Sequence, residues 1–124
     1  MPYQTHWEDH GIVWTYHGDV TAREIADAND EFYSDERSER IRYQIIDARD
    51  VTSVEWSDRD IAMAAGYDIG AERSIKNVNV AYVAVKTDIV AKLEKYIAIS
   101  RTLNSSWRFR GFESLPEARE WASI

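Results

Sequence analysis

Apolar and polar positions along the chain switch repeatedly between two periods. From Ile12 to His17 they alternate residue by residue, with Ile12, Trp14 and Tyr16 on one side and Val13, Thr15 and His17 on the other. That is the period of a half-buried strand. Thr5 to His10 reads as a short strand before it, Gly11 as the turn and Gly18 as the end of the second strand, so the chain opens with a hairpin. From Thr21 the period lengthens. Ala22, Ile25, Ala28 or Asn29, and Phe32 share one face of a helix that ends near Ser34 and Asp35. Thr21 and Glu24 form a capping box at its start. A charged loop, Glu36 to Arg40, leads to a central strand over Arg42 to Ala48, with Asp47 at its C-terminal end.

Ser57 and Asp60 repeat the capping pattern and open a helix that reaches about Arg73. Val78 to Val85 is nearly continuous in apolar residues, which predicts a central strand buried on both faces. Asp88 to about Thr102 is a helix with Ile89, Leu93, Tyr96 and Ile97 in one stripe. After a loop over Asn104 to Ser106, Trp107 to Gly111 is a strand with Trp107 and Phe109 inward and Arg108 and Arg110 outward. Ser114 and Glu117 make a third capping box, Pro116 suits a first turn, and Leu115, Ala118, Trp121 and Ala122 mark the last helix.

The order β-β-α-β-α-β-α-β-α predicts an α/β fold: a five-stranded mixed sheet with four helices, right-handed crossovers and an antiparallel edge at the opening hairpin. Without repeats, low-complexity tracts or linkers, the chain reads as one domain over residues 1–124.

Composition narrows the partners. The 124 residues carry 22 acids against 15 bases, a formal charge of −7, which repels phosphates and anionic headgroups. Nucleic acid and a polybasic membrane dock are therefore not expected. There is no cysteine, so no disulfide, thiol nucleophile or cysteine metal site. No apolar run approaches the roughly 18 residues of a transmembrane helix. Met1 to His10 is polar and lacks the basic start and apolar stretch of a signal peptide. A cytoplasmic location is the expectation.

The segments "GIVWTYHGDVTAREIADAN", "RYQIIDARDV", "NVNVAYVAV" and "FRGFESLPEAREWA", in this order and spacing, resemble the SpoIIAA-like family of bacterial STAS/SEC14-type domains. The resemblance spans essentially the whole chain. It implies a five-stranded mixed sheet packed with four helices and no known enzyme activity. It also brings two precedents: anti-sigma-factor antagonists that bind a partner kinase and are switched by serine phosphorylation, and SEC14-type domains that hold lipids or other apolar molecules. Aligning Asp47 with the first Asp of the antagonists' D-x-S-G-x-x-x-I-D-S-S-G motif puts Ser57 on the phosphoserine. Trp56 then replaces a serine and Asp58 the glycine, and the acid repels an incoming phosphate.

Four residues are candidates for a site, each with a plainer alternative. Ser57 is a helix N-cap or a phosphorylation site at a helix N-terminus. Asp47, at a strand end, holds the backbone of the next loop or binds a ligand hydroxyl. Asp68 falls within the apolar stripe of Ile61, Ala64 and Ala65, so it is paired with Arg73 or Lys76, or is a polar anchor inside an apolar pocket. Trp56 staples the helix start against Ile61, or lines a pocket mouth or partner surface.

His6 and His10, four apart on a strand, are about 13 Å from each other, too far for one metal ion. No triad order, phosphate loop or H-E-x-x-H motif is present, and no cofactor is expected. The expectation is a non-enzymatic module binding a small apolar molecule or a regulatory protein, with Asp47, Trp56 and Asp68 as ligand residues. The alternative is a regulator switched at Ser57. A homodimer through an exposed face of the hairpin is expected as well.

Overall fold

The computed structural model describes residues 3–123; Met1 and Pro2, at the head of the stretch read as lacking a leader, and Ile124 lie outside them. Strand β1 (Tyr3–Trp7) runs antiparallel to β2 (Gly11–Thr21), and β2, β3 (Tyr43–Glu55), β4 (Asn79–Val83) and β5 (Arg108–Phe112) are parallel, in the spatial order β1-β2-β3-β4-β5. Helices α1 (Ala22–Ser34), α2 (Asp58–Ala71), α3 (Thr87–Thr102) and α4 (Leu115–Ala122) link or follow the parallel strands. The expected element order and mixed sheet are present. The middle position belongs to β3, while the apolar β4 is the interior strand next to it, buried at every residue.

The helices divide between the two faces. On one, Ile12, Trp14 and Tyr16 of β2 and Val80 and Tyr82 of β4 pack with Phe32 of α1, Ile61 of α2 and Tyr96 of α3. On the other, Val13, Ile45, Ala81 and Val83 pack with Ala118 and Ala122 of α4. Burying the large aromatic set gives each such side chain on the order of 1.5–3 kcal/mol. The hairpin surface on which a dimer was expected to close is thus used internally. Ile12, Trp14 and Tyr16 lie beneath the helices, Val13 is buried toward α4, Thr15 is half-buried and only His17 of these six is exposed.

Three local predictions fail for identifiable reasons. Gly11 is the first residue of β2 and not the turn, which Glu8, Asp9 and His10 form, with the Glu8 N–H donating to the Gly11 carbonyl at 2.8 Å. Residues Glu36–Arg40 form a short 3-10 helix, started by Asp35, whose Oδ1 accepts from the Arg37 backbone N–H at 2.9 Å. Gly18 does not end β2. It takes φ +69° inside the strand, which continues to Thr21 beside a β3 that runs to Glu55. Register shifts between Thr15 and His17 and between Gly18 and Asp19 each leave an extra residue on β3, and such bulges bend a strand and increase its twist. The pairing of β3 with β4 stops at Asp47, so beyond it β2 and β3 project as a two-stranded arm.

His10 lies in the turn after β1 rather than on the strand with His6. No helix among the described residues is long and apolar enough to cross a membrane.

Candidate functional site

The bulged arm builds one wall of a cavity. Gln44, Ile46 and Ala48 of β3 point to the α1–α3 side at the period of 2 expected of a strand. After the bulges, Val51 and Val54 continue that side at a period of 3, and Val20 of β2 joins them. The roof comes from three helices: Ile25 and Asn29 of α1, Ala64 and Asp68 of α2, and Ile89, Leu93 and Tyr96 of α3. Trp56, in the loop entering α2, closes one side. The cavity volume is about 100 Å³.

The cavity opens between α1 and α2. Ile25, Asn29, Trp56 and Ala64 line both it and an outer groove of about 210 Å³, which Met63 and Tyr67 flank. Met63 is 63% and Tyr67 56% exposed, the two most prominent apolar side chains at this surface. Their spacing of four residues puts them on one side of α2.

Asp68 is the polar centre. The Tyr33 hydroxyl of α1 donates to its Oδ1 at 2.6 Å, and the Tyr96 hydroxyl of α3 donates to its Oδ2. These two phenols replace the Arg73 or Lys76 ion pair expected from the sequence; both of those cations are exposed, and neither bridges Asp68. Neutral donors satisfy a buried carboxylate without requiring a second charge to be desolvated. Burial pushes the Asp68 carboxyl up to about 6; the two phenol hydrogen bonds pull it down without cancelling that, and Glu72 on the same helix adds a further upward push. Burial raises Tyr33 and Tyr96 well above the ordinary phenol value too, reinforced by the Asp68 charge. The phenols therefore remain protonated donors.

Trp56 is nearly buried and stacks on Tyr96 at 5.9 Å between ring centroids, and its carbonyl accepts from Lys92 Nζ at 2.8 Å. Its ring stacks on α3 and belongs to the same packed core as Ile61 of α2. Trp56 and Asp68 thus share one cavity.

Asp47 does not join them. It is not at a strand end, since β3 continues past it, and it lies in register with Val83, whose side chain belongs to the α4-side core. Its Oδ1 accepts from the Arg49 backbone N–H at 3.2 Å, and its two oxygens take Nε at 2.9 Å and Nη2 at 2.8 Å of the Arg49 guanidinium. That is a carboxylate fixing the bulge that follows it. Ser57 caps α2: its Oγ accepts from the Asp60 N–H at 3.1 Å, and Asp60 Oδ2 accepts from the Ser57 N–H at 3.1 Å. Asp58, next to it, is paired with Lys95 at 2.6 Å.

Tyr33, Tyr96, Gln44 and Asn29 were not singled out from the sequence. The available signal was a Tyr within the apolar stripe of α3 and an Asp within the apolar stripe of α2. A buried phenol needs an acceptor and a buried carboxylate needs donors. Gln44 is buried and Asn29 half-buried, and both amides line the cavity, where they add polar groups to its wall.

No protein-family model matches the chain, and neither does any curated protein. Among solved structures the chain is similar to an uncharacterised DUF3478-family protein with a SpoIIAA-like fold from Shewanella loihica PV-4, at 12% identity and a TM-score of 0.55, over 97% of this chain and 91% of that one. At that identity the likeness concerns architecture. Together with the observed sheet order and helix placement it establishes that the chain has a SpoIIAA-like fold.

Proposed function

We propose that the protein is a non-enzymatic binding module whose site is the cavity between the sheet and α1–α3, and that it takes a small, mostly apolar molecule with one polar end. The observation that carries this reading is the position of Asp68, a buried carboxylate held by two phenols, in the wall of a cavity that opens onto an apolar groove. Ligand sites commonly combine an apolar lining with a few fixed polar groups in this way. An apolar cavity of about 150 Å³ is large enough for benzene, so a cavity of about 100 Å³ holds one end of a ligand. The groove beside Met63 and Tyr67 accommodates the rest. Binding rather than catalysis is favoured because the two phenol protons are committed to Asp68 and their acidity is suppressed.

Native mass spectrometry of freshly purified protein tests the reading, together with thermal shifts against small apolar amphiphiles. A co-purifying small molecule, or shifts lost when Ala64→Trp fills the passage between cavity and groove, is the expected result. A clean mass with no shift from any compound would overturn it.

A further inference from the structure

Resting on that reading, the charge balance inside the cavity specifies the polar end of the ligand. Asp68 has a carboxylate with about four acceptor positions, of which Tyr33 and Tyr96 occupy two. No described cation lies within ion-pair distance of it. Lys92 is the one cation among the described cavity-lining residues, and its ammonium sits on the Trp56 carbonyl at 2.8 Å instead. The charge that acts on Asp68 is another anion, Glu72, four residues on at the C-terminal cap of α2. The cavity therefore contains a carboxylate without a counter-charge, in an apolar setting where such a charge is costly.

Its surroundings are aromatic. Trp56, Tyr96, Tyr82 and Trp14 line the same space, and Trp56 and Tyr96 are stacked. Ring faces attract cations, most strongly where water is excluded. A carboxylate within an aromatic wall complements a protonated amine in both charge and surface. A neutral hydroxyl would supply one hydrogen bond and leave the charge uncompensated, and a fatty acid would add a second anion. The chain's −7 charge also attracts cations to the surface at long range.

We propose that the cavity binds a small organic ammonium, with its charged nitrogen on Asp68 and its apolar body leaving through the α1–α2 groove over Met63 and Tyr67.

Isothermal titration of the full chain at pH 7.5 with three eight-carbon probes, n-octylamine, 1-octanol and octanoate, tests this. The expected result is octylammonium binding at least tenfold tighter than octanol, with octanoate weakest, and Asp68→Asn reducing octylammonium affinity at least tenfold while leaving octanol unchanged. Should Asp68→Asn fail to unfold cooperatively, wild type titrated at pH 7.5 and 4.5 replaces it. The preference for octylammonium over octanol then shrinks at the lower pH. The groups facing Asp68 are Tyr33 from α1, Tyr96 and Lys92 from α3, Tyr82 from β4 and Glu72 at the C-terminal cap of α2; burial keeps the three phenols protonated throughout. A preference unaltered by pH would overturn the assignment. Equal binding of amine and alcohol, or tighter binding of octanoate, would overturn the ammonium proposal and leave the pocket standing. Binding of none of the three would overturn both.

Discussion

The Tyr33 hydroxyl reaches across from α1 to Asp68 on α2 at 2.6 Å and ties together two helices that otherwise leave an apolar groove between them. Removing that donor by Tyr33→Phe leaves Asp68 with Tyr96 alone. The expected loss is about 1.5–3 kcal/mol at pH 7.5, the cost of a lost hydrogen bond to a charged group. At pH 4.5 Asp68 is protonated and the loss is smaller. Urea denaturation at the two pH values checks this, and equal losses at both would contradict an ionised Asp68 at neutral pH.

Asp68 also sets a pH dependence of its own. Its carboxyl is raised to about 6 in the folded protein, above its unfolded value. The folded state therefore holds this proton more tightly, and the associated stability is complete below the unfolded value and is lost as pH rises through about 6. The magnitude is on the order of 3 kcal/mol. Asp68→Asn cannot ionise, so the stability difference between wild type and this variant should move in favour of wild type as pH falls from 7.5 to 4.5. A difference that is flat with pH would contradict the assignment.

Ser57→Ala removes the Oγ that accepts from Asp60 N–H, and a lost N-cap of this kind costs about 1 kcal/mol. Thermal unfolding at neutral pH measures it. A cost near zero would show that the capping box contributes nothing, and would leave a regulatory use of the exposed hydroxyl as the better account of that serine.

Much of the architecture was legible because it rests on local rules. The capping boxes at Thr21 and Ser57 are both formed reciprocally, and at Ser114 the side chain accepts from Glu117 N–H. Trp107 and Phe109 are buried and Arg108 and Arg110 exposed, as strand alternation requires. The arm formed by β2 and β3 was not legible. Its two bulges change the inward spacing from Ile46–Ala48 to Ala48–Val51–Val54, and a period of 3 in "ARDVTSVE" does not look like a strand. Gly18 looked like a terminator because a positive φ commonly means a turn, whereas here it lies beside a bulge. Asp68 stood out as a carboxylate on an apolar face. Its partners did not, because Tyr33 is 35 and Tyr96 28 residues away and neither carries a charge that a pairing argument would seek.

Gly11 is constrained by packing. A Cβ there would collide with the Tyr43 ring, whose hydroxyl is held by Glu8, itself bridged to Arg119 of α4 at 2.9 Å. A shift of the ring would strain its hydrogen bond to Glu8, so Gly11→Ala should cost about 1–3 kcal/mol through overpacking. Chemical denaturation of Gly11→Ala alone and combined with Tyr43→Ala checks this: the alanine at residue 11 should cost much less once the ring is gone.

The central claim is that the cavity beneath α1–α3 is a ligand site, and methyl NMR of isoleucine-labelled protein titrated with n-octylamine and 1-octanol tests it most directly. Ile25, Ile46 and Ile89 line the cavity, whereas Ile45 packs on the opposite face with α4. Saturable shifts at the first three with Ile45 unmoved is the predicted result. No shift up to the solubility of either probe, or shifts centred on Ile45, would contradict it.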